Sequence, residues 1–388
     1  MKIIIIGAGF TGTQLARRLI AEGNDVILID SDAETVRHVS NRLDCMVIQA
    51  NGNSLQTLQE AGIDKADALI ALTESDELNM ITCSMVDSVY PDLIKIARVR
   101  NYDYYSDAVL ANIDERRLYG IDYMVNPDIE AAKGIVTAVE HGAVTDVIDF
   151  DNSSYELTCI TIEESSSLVG VSVQNIKQMT DKKFLLAFLE RKTKATLPTG
   201  STILEAGDRI GILTDKENLN EFLELCGSKM HDLKKIILLG AGRIGTIIAE
   251  QLIKKRQKNI FERLLGFHKK AANKFVIVDS DETRAKIASE KFPETIVHCA
   301  DITEEGFIQE ENLQNFDLAI TATHNHELNM VTAAYLHSLG VTKSICLVAN
   351  ESFANIARNL DIDVTIPIKD AVVDTIMSHL RGKSVSSV

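Results

Sequence analysis

Nothing in this 388-residue sequence looks long and apolar enough to cross a bilayer. A spanning helix needs about 20 consecutive apolar residues, and the early run Ile3–Ile6 ends at glycines after four. No secretory leader is expected either, because the N-terminus has one lysine, that short run and no small-residue cleavage pattern. Any attachment to a membrane is therefore expected to go through a protein partner. Positive charge is also scarce. Lysine and arginine total 40 against 56 aspartates and glutamates, a net charge of −16, which excludes a general affinity for DNA, RNA or anionic lipid. The six cysteines, Cys45, Cys83, Cys159, Cys226, Cys299 and Cys346, are scattered without a CxxC spacing. They read as small buried residues in a reducing cytosol, not as a disulfide frame or a zinc site. What remains is ordinary for a folded protein, with 45% hydrophobic and 25% charged residues. The length predicts two or three domains, since single cores seldom exceed about 250 residues.

The chain repeats itself. Lys2–Ile6 reads as a strand, Gly7-Ala8-Gly9-Phe10-Thr11-Gly12 as a turn, and Leu15, Ala16, Leu19 and Ile20 as one face of a helix. Val26–Ile29 is a second strand ending in Asp30. Ile236–Leu239, Gly240-Ala241-Gly242-Arg243-Ile244-Gly245, the helical face of Ile248, Ala249, Leu252 and Ile253, and Phe275–Val278 with Asp279 repeat that order. Further on, Asp67–Met80 (DALIALTESDELNM) lies over Asp317–Met330 (DLAITATHNHELNM), and Lys95–Asn101 over Ser344–Asn350. The offset grows from 233 at the glycines to 249 at the aspartates, so the second copy carries a 16-residue insertion within Lys254–Lys274. That stretch is basic. It reads as a solvated loop or helix extension, or as a contact for an acidic surface on a partner.

Strands alternating with helices predict an α/β fold: two Rossmann-like, doubly wound parallel sheets. Between them Val144–Gly227 has another texture. Strands over Val147–Phe150, Tyr155–Ile162, Phe184–Glu190 and Arg209–Leu213, with short helices over Val173–Met179 and Leu219–Leu225, predict a small α+β module. The expected division is 1–143, 144–228 and 229–388.

The glycine turn of each copy follows a strand and opens a helix, and an acid lies 23 residues after Gly7. In such a turn Gly7 permits the tight bend, Gly9 lets backbone approach a pyrophosphate, and Gly12 lets helix and strand pack closely. The helix N-terminus then offers N–H groups and partial positive charge to phosphate. Asp30 stands where a carboxylate accepts both ribose hydroxyls and repels a 2′-phosphate, so NAD(H) or an adenosine nucleotide is favoured over its 2′-phosphorylated form. Asn51 and Gly52 are placed to border the adenine, and Thr73 and Glu74 to pass over the ribose or nicotinamide. Arg98 supplies charge to a phosphate or pairs with a neighbouring carboxylate. The second copy keeps Gly240, Ala241, Gly242, Gly245, Asp279 and Thr323, with Asp301 opposite Asn51. Leu347 stands opposite Arg98, and Arg243 replaces Phe10. An arginine on the phosphate turn suits a terminal phosphate, so ATP or ADP is expected especially at this second site. His324 and His326 lack a third ligand nearby and read as loop histidines, with no metal site.

The KIIIIGAG start, DELNM and ARVRN resemble the RCK (or KTN) domains that regulate potassium channels and transporters. The middle module, with Leu168-Val169-Gly170 and the run Pro198, Gly200, Glu205-Ala206-Gly207-Asp208, resembles the RCK C-terminal subdomain. The tandem order is similar to TrkA-type potassium-uptake regulatory subunits, and the resemblance covers essentially the whole chain. It implies a cytoplasmic protein that binds NAD(H), ATP or ADP, assembles as a homo-oligomeric ring and acts on a membrane-embedded potassium-translocating subunit. It places the dinucleotide positions on Gly7–Thr11, Asp30, Thr73, Glu74 and Arg98, and on Gly240–Ile244, Asp279 and Thr323. The alternative is an NAD-dependent oxidoreductase. That chemistry needs a proton donor or acceptor aimed at the nicotinamide, and Val144–Gly227 contains no histidine at all. A transcriptional regulator would need a helix-turn-helix and a basic face, and neither is visible. No catalytic residue is expected.

Overall fold

The computed structural model describes residues 1–104, 118–143, 147–149, 153–191, 194–227, 233–263, 274–302, 307 and 311–385. The first repeat runs β1 (Lys2–Ile6), α1 (Phe10–Ala21), β2 (Asp25–Asp30), α2 (Ala33–Ser40), β3 (Met46–Gln49), α3 (Leu55–Glu60), β4 (Ala68–Ala71), α4 (Asp76–Asp87), β5 (Ile94–Arg98), β6 (Tyr123–Val125) and α5 (Pro127–Glu140). Its six parallel strands lie in the order β3-β2-β1-β4-β5-β6. Ile3–Ile6 of β1 and all of β4 are apolar and buried because helices cover both faces of a parallel sheet. Helices α2, α3 and α4 start where polar side chains take up first-turn amides. Asp32 accepts the Thr35 N–H at 2.8 Å to cap α2, and Ser75 accepts the Leu78 N–H at 3.1 Å to cap α4.

The module that follows in the chain comprises β7 (Val147–Asp149), β8 (Tyr155–Thr161), α6 (Val173–Ile176), β9 (Phe184–Arg191), β10 (Lys194–Thr196), β11 (Arg209–Asp215) and α7 (Leu219–Leu225). Its antiparallel sheet has the order β10-β9-β11-β8-β7. Ile160 of β8, Leu186 and Leu189 of β9, and Ile210 and Ile212 of β11 meet Leu219, Phe222 and Leu223 of α7 in one core. β10 is a strand that periodicity does not announce. Its three residues are all exposed and are held by pairing with β9 alone.

The second repeat runs β12 (Lys235–Leu239), α8 (Arg243–Arg263), β13 (Lys274–Asp279), α9 (Glu282–Lys291), β14 (Ile296–Cys299), β15 (Leu318–Thr321), α10 (His326–Ser338), β16 (Lys343–Val348), α11 (Glu351–Arg358), β17 (Val364–Pro367) and α12 (Ile368–Val385). Its parallel sheet, β14-β13-β12-β15-β16-β17, repeats the first. The insertion appears as helix: α8 has 21 residues against 12 in α1, and residues 264–273 lie outside the described residues.

By packing, the chain forms two compact units, residues 1–131 with 349–351 and 367–388, and residues 132–348 with 352–366. Repeat and unit therefore diverge at the last helix. Val372, Val373, Ile376, Met377 and Leu380 of α12 join Ile3, Leu15, Leu19 and Leu28 in the core of the first unit. Arg18 pairs with Asp374 and Asp370 of that helix, and Arg381 with Glu22. Among the described residues no helix is long and apolar enough to cross a membrane.

Candidate nucleotide site

The strand order reverses between β1 and β4, and ligands of open parallel sheets bind in the crevice at such a switch point, beyond the carboxyl ends of the strands. Gly7 sits there. Its φ of +99° is one that L side chains rarely adopt, and a Cβ would stand 3.0 Å from the Leu72 carbonyl carbon. Its N–H donates to the Ile29 carbonyl at 2.8 Å, which ties the turn to β2. At Gly12 a Cβ would lie 1.9 Å from the Gly7 carbonyl oxygen, so only glycine lets α1 approach β1 this closely. At Gly9 a Cβ would meet nothing within 4 Å. The space over Gly9 is open, and no side chain caps the α1 amides there. Unlike α2 and α4, this helix start leaves its donors available to an anion.

Asp30 has a second task beyond the one its spacing suggests. Its Oδ2 accepts the Ala8 N–H at 2.7 Å and its Oδ1 the Asp32 N–H at 2.9 Å. The carboxylate therefore holds the glycine turn in place, and these two amides take up two of its roughly four acceptor positions. A cleft of about 570 Å³ opens beside it, lined among others by Gly9, Phe10, Thr13, Arg17, Asp32 and His38. Phe10 is 39% exposed, and the Lys369 ammonium from the start of α12 lies 4.7 Å above its ring.

Thr73 lies two residues beyond the end of β4. Asn79, fully buried in α4, accepts the Thr73 N–H at 3.0 Å and its hydroxyl at 2.7 Å, and donates to the carbonyls of Thr73 and Arg98 at 3.0 and 2.9 Å. The Arg98 guanidinium donates to the Thr73 carbonyl at 2.8 Å. Burial, and then the neighbouring Arg100, pull its pKa below the ordinary arginine value. The structure thus brings Gly7, Gly9, Gly12, Asp30, Thr73 and Arg98 together at one crevice. Thr11 is half-buried in the first turn of α1, Glu74 is exposed beyond Thr73, and Asn51 and Gly52 follow β3. A Cβ on Gly52 would come 2.2 Å from the Ile6 side chain, so this loop presses on the end of β1.

The second repeat copies the backbone closely. Gly240 has φ +105°, a Cβ on Gly245 would lie 1.8 Å from the Gly240 carbonyl oxygen, and one on Gly242 would meet nothing within 4 Å. Asp279 accepts the N–H groups of Ala241 at 2.7 Å and Asp281 at 2.9 Å. Asn329 repeats the role of Asn79, bonding Thr323 and the Leu347 carbonyl. Arg243 and Ile244 open α8, with Arg243 exposed, and Asp301 is exposed after β14. One contact has no counterpart in the first repeat: Arg284 bonds both oxygens of Asp279. The shared Asn of DELNM and HELNM was the available signal for the paired asparagines, whereas Arg284 stands out only once its first-repeat equivalent, Thr35, is set beside it. His326 opens α10, with Nδ1 3.4 Å from the Leu347 carbonyl oxygen. Among the described residues no three His, Cys, Asp or Glu side chains are grouped to hold a metal ion.

Two dinucleotide-binding-type folds in tandem, each with a glycine turn locked to a strand-end carboxylate, define a class of nucleotide-binding proteins. Residues 3–127 and 236–367 match the TrkA-N domain and residues 157–227 the TrkA-C domain, and the chain belongs to the TrkA family. It is 26% identical over 389 residues to the Trk system potassium uptake protein TrkA of Halomonas elongata, covering all of this chain and 81% of that protein. Solved structures with the same fold include the GsuK channel, at a TM-score of 0.64 and 18% identity, and the GsuK channel bound to NAD, at 0.64 and 16%. Those alignments span 100% and 99% of this chain but only 64% of each channel chain.

Proposed function

We propose that this protein is a regulatory subunit of a potassium-uptake system, which reads the nucleotide state of the cytoplasm and passes it to a membrane-embedded translocating partner. The carrying observation is the doubled crevice: two glycine turns, each tied to a carboxylate through backbone amides, in a chain of the TrkA family. The first repeat takes NAD(H), with phosphates at Gly7–Gly12, ribose at Asp30, and Asn51, Gly52, Thr73, Glu74 and Arg98 around the rest. The second takes ATP or ADP, held by the turn Gly240–Gly245 with Arg243, and flanked by Asp279, Asp301 and Thr323. The division 1–143, 144–228 and 229–388 describes the repeats and the module between them. Nucleotides that bind two arrangements of a homo-oligomeric ring unequally shift its equilibrium, and that shift is the signal. No enzymatic turnover is part of this reading. NADH and its 2′-phosphorylated analogue, titrated calorimetrically into the full chain, test it. NADH should bind at least tenfold more tightly, and equal affinities would sink the assignment of Asp30. Steady reduction of NAD by a common alcohol, hydroxy acid or amino acid above about 1 s⁻¹ would return the protein to the oxidoreductases.

A further inference from the structure

One of the side chains that differ between the two repeats bonds directly to the carboxylate at the end of the second strand. In the first, Asp30 receives two backbone amides and retains about two acceptor positions, as many as a ribose diol needs. In the second, Asp279 receives the same two amides, and then the Arg284 fork. The Arg284 Nε lies 3.2 Å from each oxygen and its Nη2 3.1 Å from Oδ1. The carboxylate, only 6% exposed, is saturated. Arg284 reaches it because both stand at one helix entrance: Asp281 caps α9 by accepting the Arg284 N–H at 2.9 Å, which brings the side chain back over the end of β13. In the first repeat Thr35 holds the equivalent place, with its N–H on the Asp32 cap at 2.8 Å. Its hydroxyl carries no charge and no fork.

We propose that Arg284 is a specificity-determining residue that closes the second crevice to NAD(H), so that one chain holds one dinucleotide, in the first repeat. The inference rests on reading Asp30 as a ribose acceptor. A ribose diol reaches Asp279 only by displacing a two-pronged, charge-assisted contact with a buried carboxylate, which costs more than the neutral hydroxyls return. A ligand of the second repeat is gripped by its phosphates, at the Gly240–Gly245 turn, and not by its ribose. ATP and 2′-deoxy-ATP should therefore compete equally there.

The test counts NADH per chain by native mass spectrometry and calorimetry on the full protein, with Arg284→Thr and Thr35→Arg, each variant importing the other repeat's residue. Arg284 is 40% exposed, so its removal opens no cavity in the core, and a cooperative melting transition well above the assay temperature verifies that each variant is folded. The expected result is one NADH in the wild type, two in R284T and none in T35R, with the affected site changing affinity tenfold or more. Two NADH in the wild type, or one in both the wild type and R284T, overturns the role of Arg284. No NADH in either protein overturns the Asp30 reading itself.

Discussion

Replacing Asn79 by alanine should loosen the turn between β4 and α4 without removing any atom expected to touch a nucleotide. The side chain makes four hydrogen bonds from a fully buried position, and all four are lost. Two of its partners keep other bonds: the Thr73 hydroxyl still donates to the Ser75 carbonyl at 3.2 Å, and the Thr73 carbonyl still accepts from Arg98 at 2.8 Å. The Thr73 N–H and the Arg98 carbonyl lose their side-chain partner. An unpaired buried polar group costs about 1–3 kcal/mol, so local opening should become about 2–4 kcal/mol easier. Amide hydrogen exchange in the peptide spanning residues 70–75 should then accelerate roughly 30- to 700-fold. Asn329→Ala should do the same for residues 320–325. There the Thr323 N–H and carbonyl are stripped, while the Leu347 carbonyl keeps a long contact to His326. Loss of NADH affinity should follow the Asn79 change only. Exchange accelerated less than about threefold in both variants would refute the claim that these asparagines hold the strand ends.

The glycines should separate folding from binding. Gly9→Ala, where a Cβ meets nothing within 4 Å, should melt like the wild type yet bind NADH at least about tenfold more weakly, because the methyl occupies the phosphate space. Gly12→Ala, with its Cβ 1.9 Å from the Gly7 carbonyl oxygen, should lower the melting temperature clearly; equal melting of the two variants would contradict this. In the middle module, burial alone would raise the pKa of Asp208, but the Arg191 fork at 2.6 Å and the Glu205 amide at 2.8 Å outweigh it and hold the carboxyl below its usual range. A depressed folded pKa adds stability that is complete above the unfolded value, about 3.9, and is lost as pH falls through the lower folded value. Denaturant unfolding of the module should therefore weaken below about pH 4. Arg191→Ala, which leaves a buried carboxylate unpaired, should cost about 3 kcal/mol at neutral pH, and adding Asp208→Asn should recover part of that. A double variant less stable than the single one would be evidence against the pairing.

Both repeats, the parallel sheets and the glycine–aspartate crevice were legible in the residues because each is written in local spacing: a strand, a turn, an amphipathic face, an acid at the next strand end. The module's strands were legible for the same reason, except Lys194–Thr196, whose exposed residues carry no alternation and whose pairing with β9 is long-range information. Asn79 lies in a motif that repeats visibly. Its purpose depends on Arg98, 19 residues away and adjacent only once β4 and β5 lie side by side. Arg284 lies five residues from Asp279, and yet only the capped entrance of α9 turns its fork onto the carboxylate. The last helix shows the limit most plainly. Val372, Val373, Ile376, Met377 and Leu380 recur at helical spacing in the sequence, and the structure buries them. Which sheet they cover is not written there, because hydrophobic burial is non-directional and two near-identical sheets offer the same apolar surface. Packing assigns the helix to the first sheet, where its Asp370, Asp374 and Arg381 also meet Arg18 and Glu22.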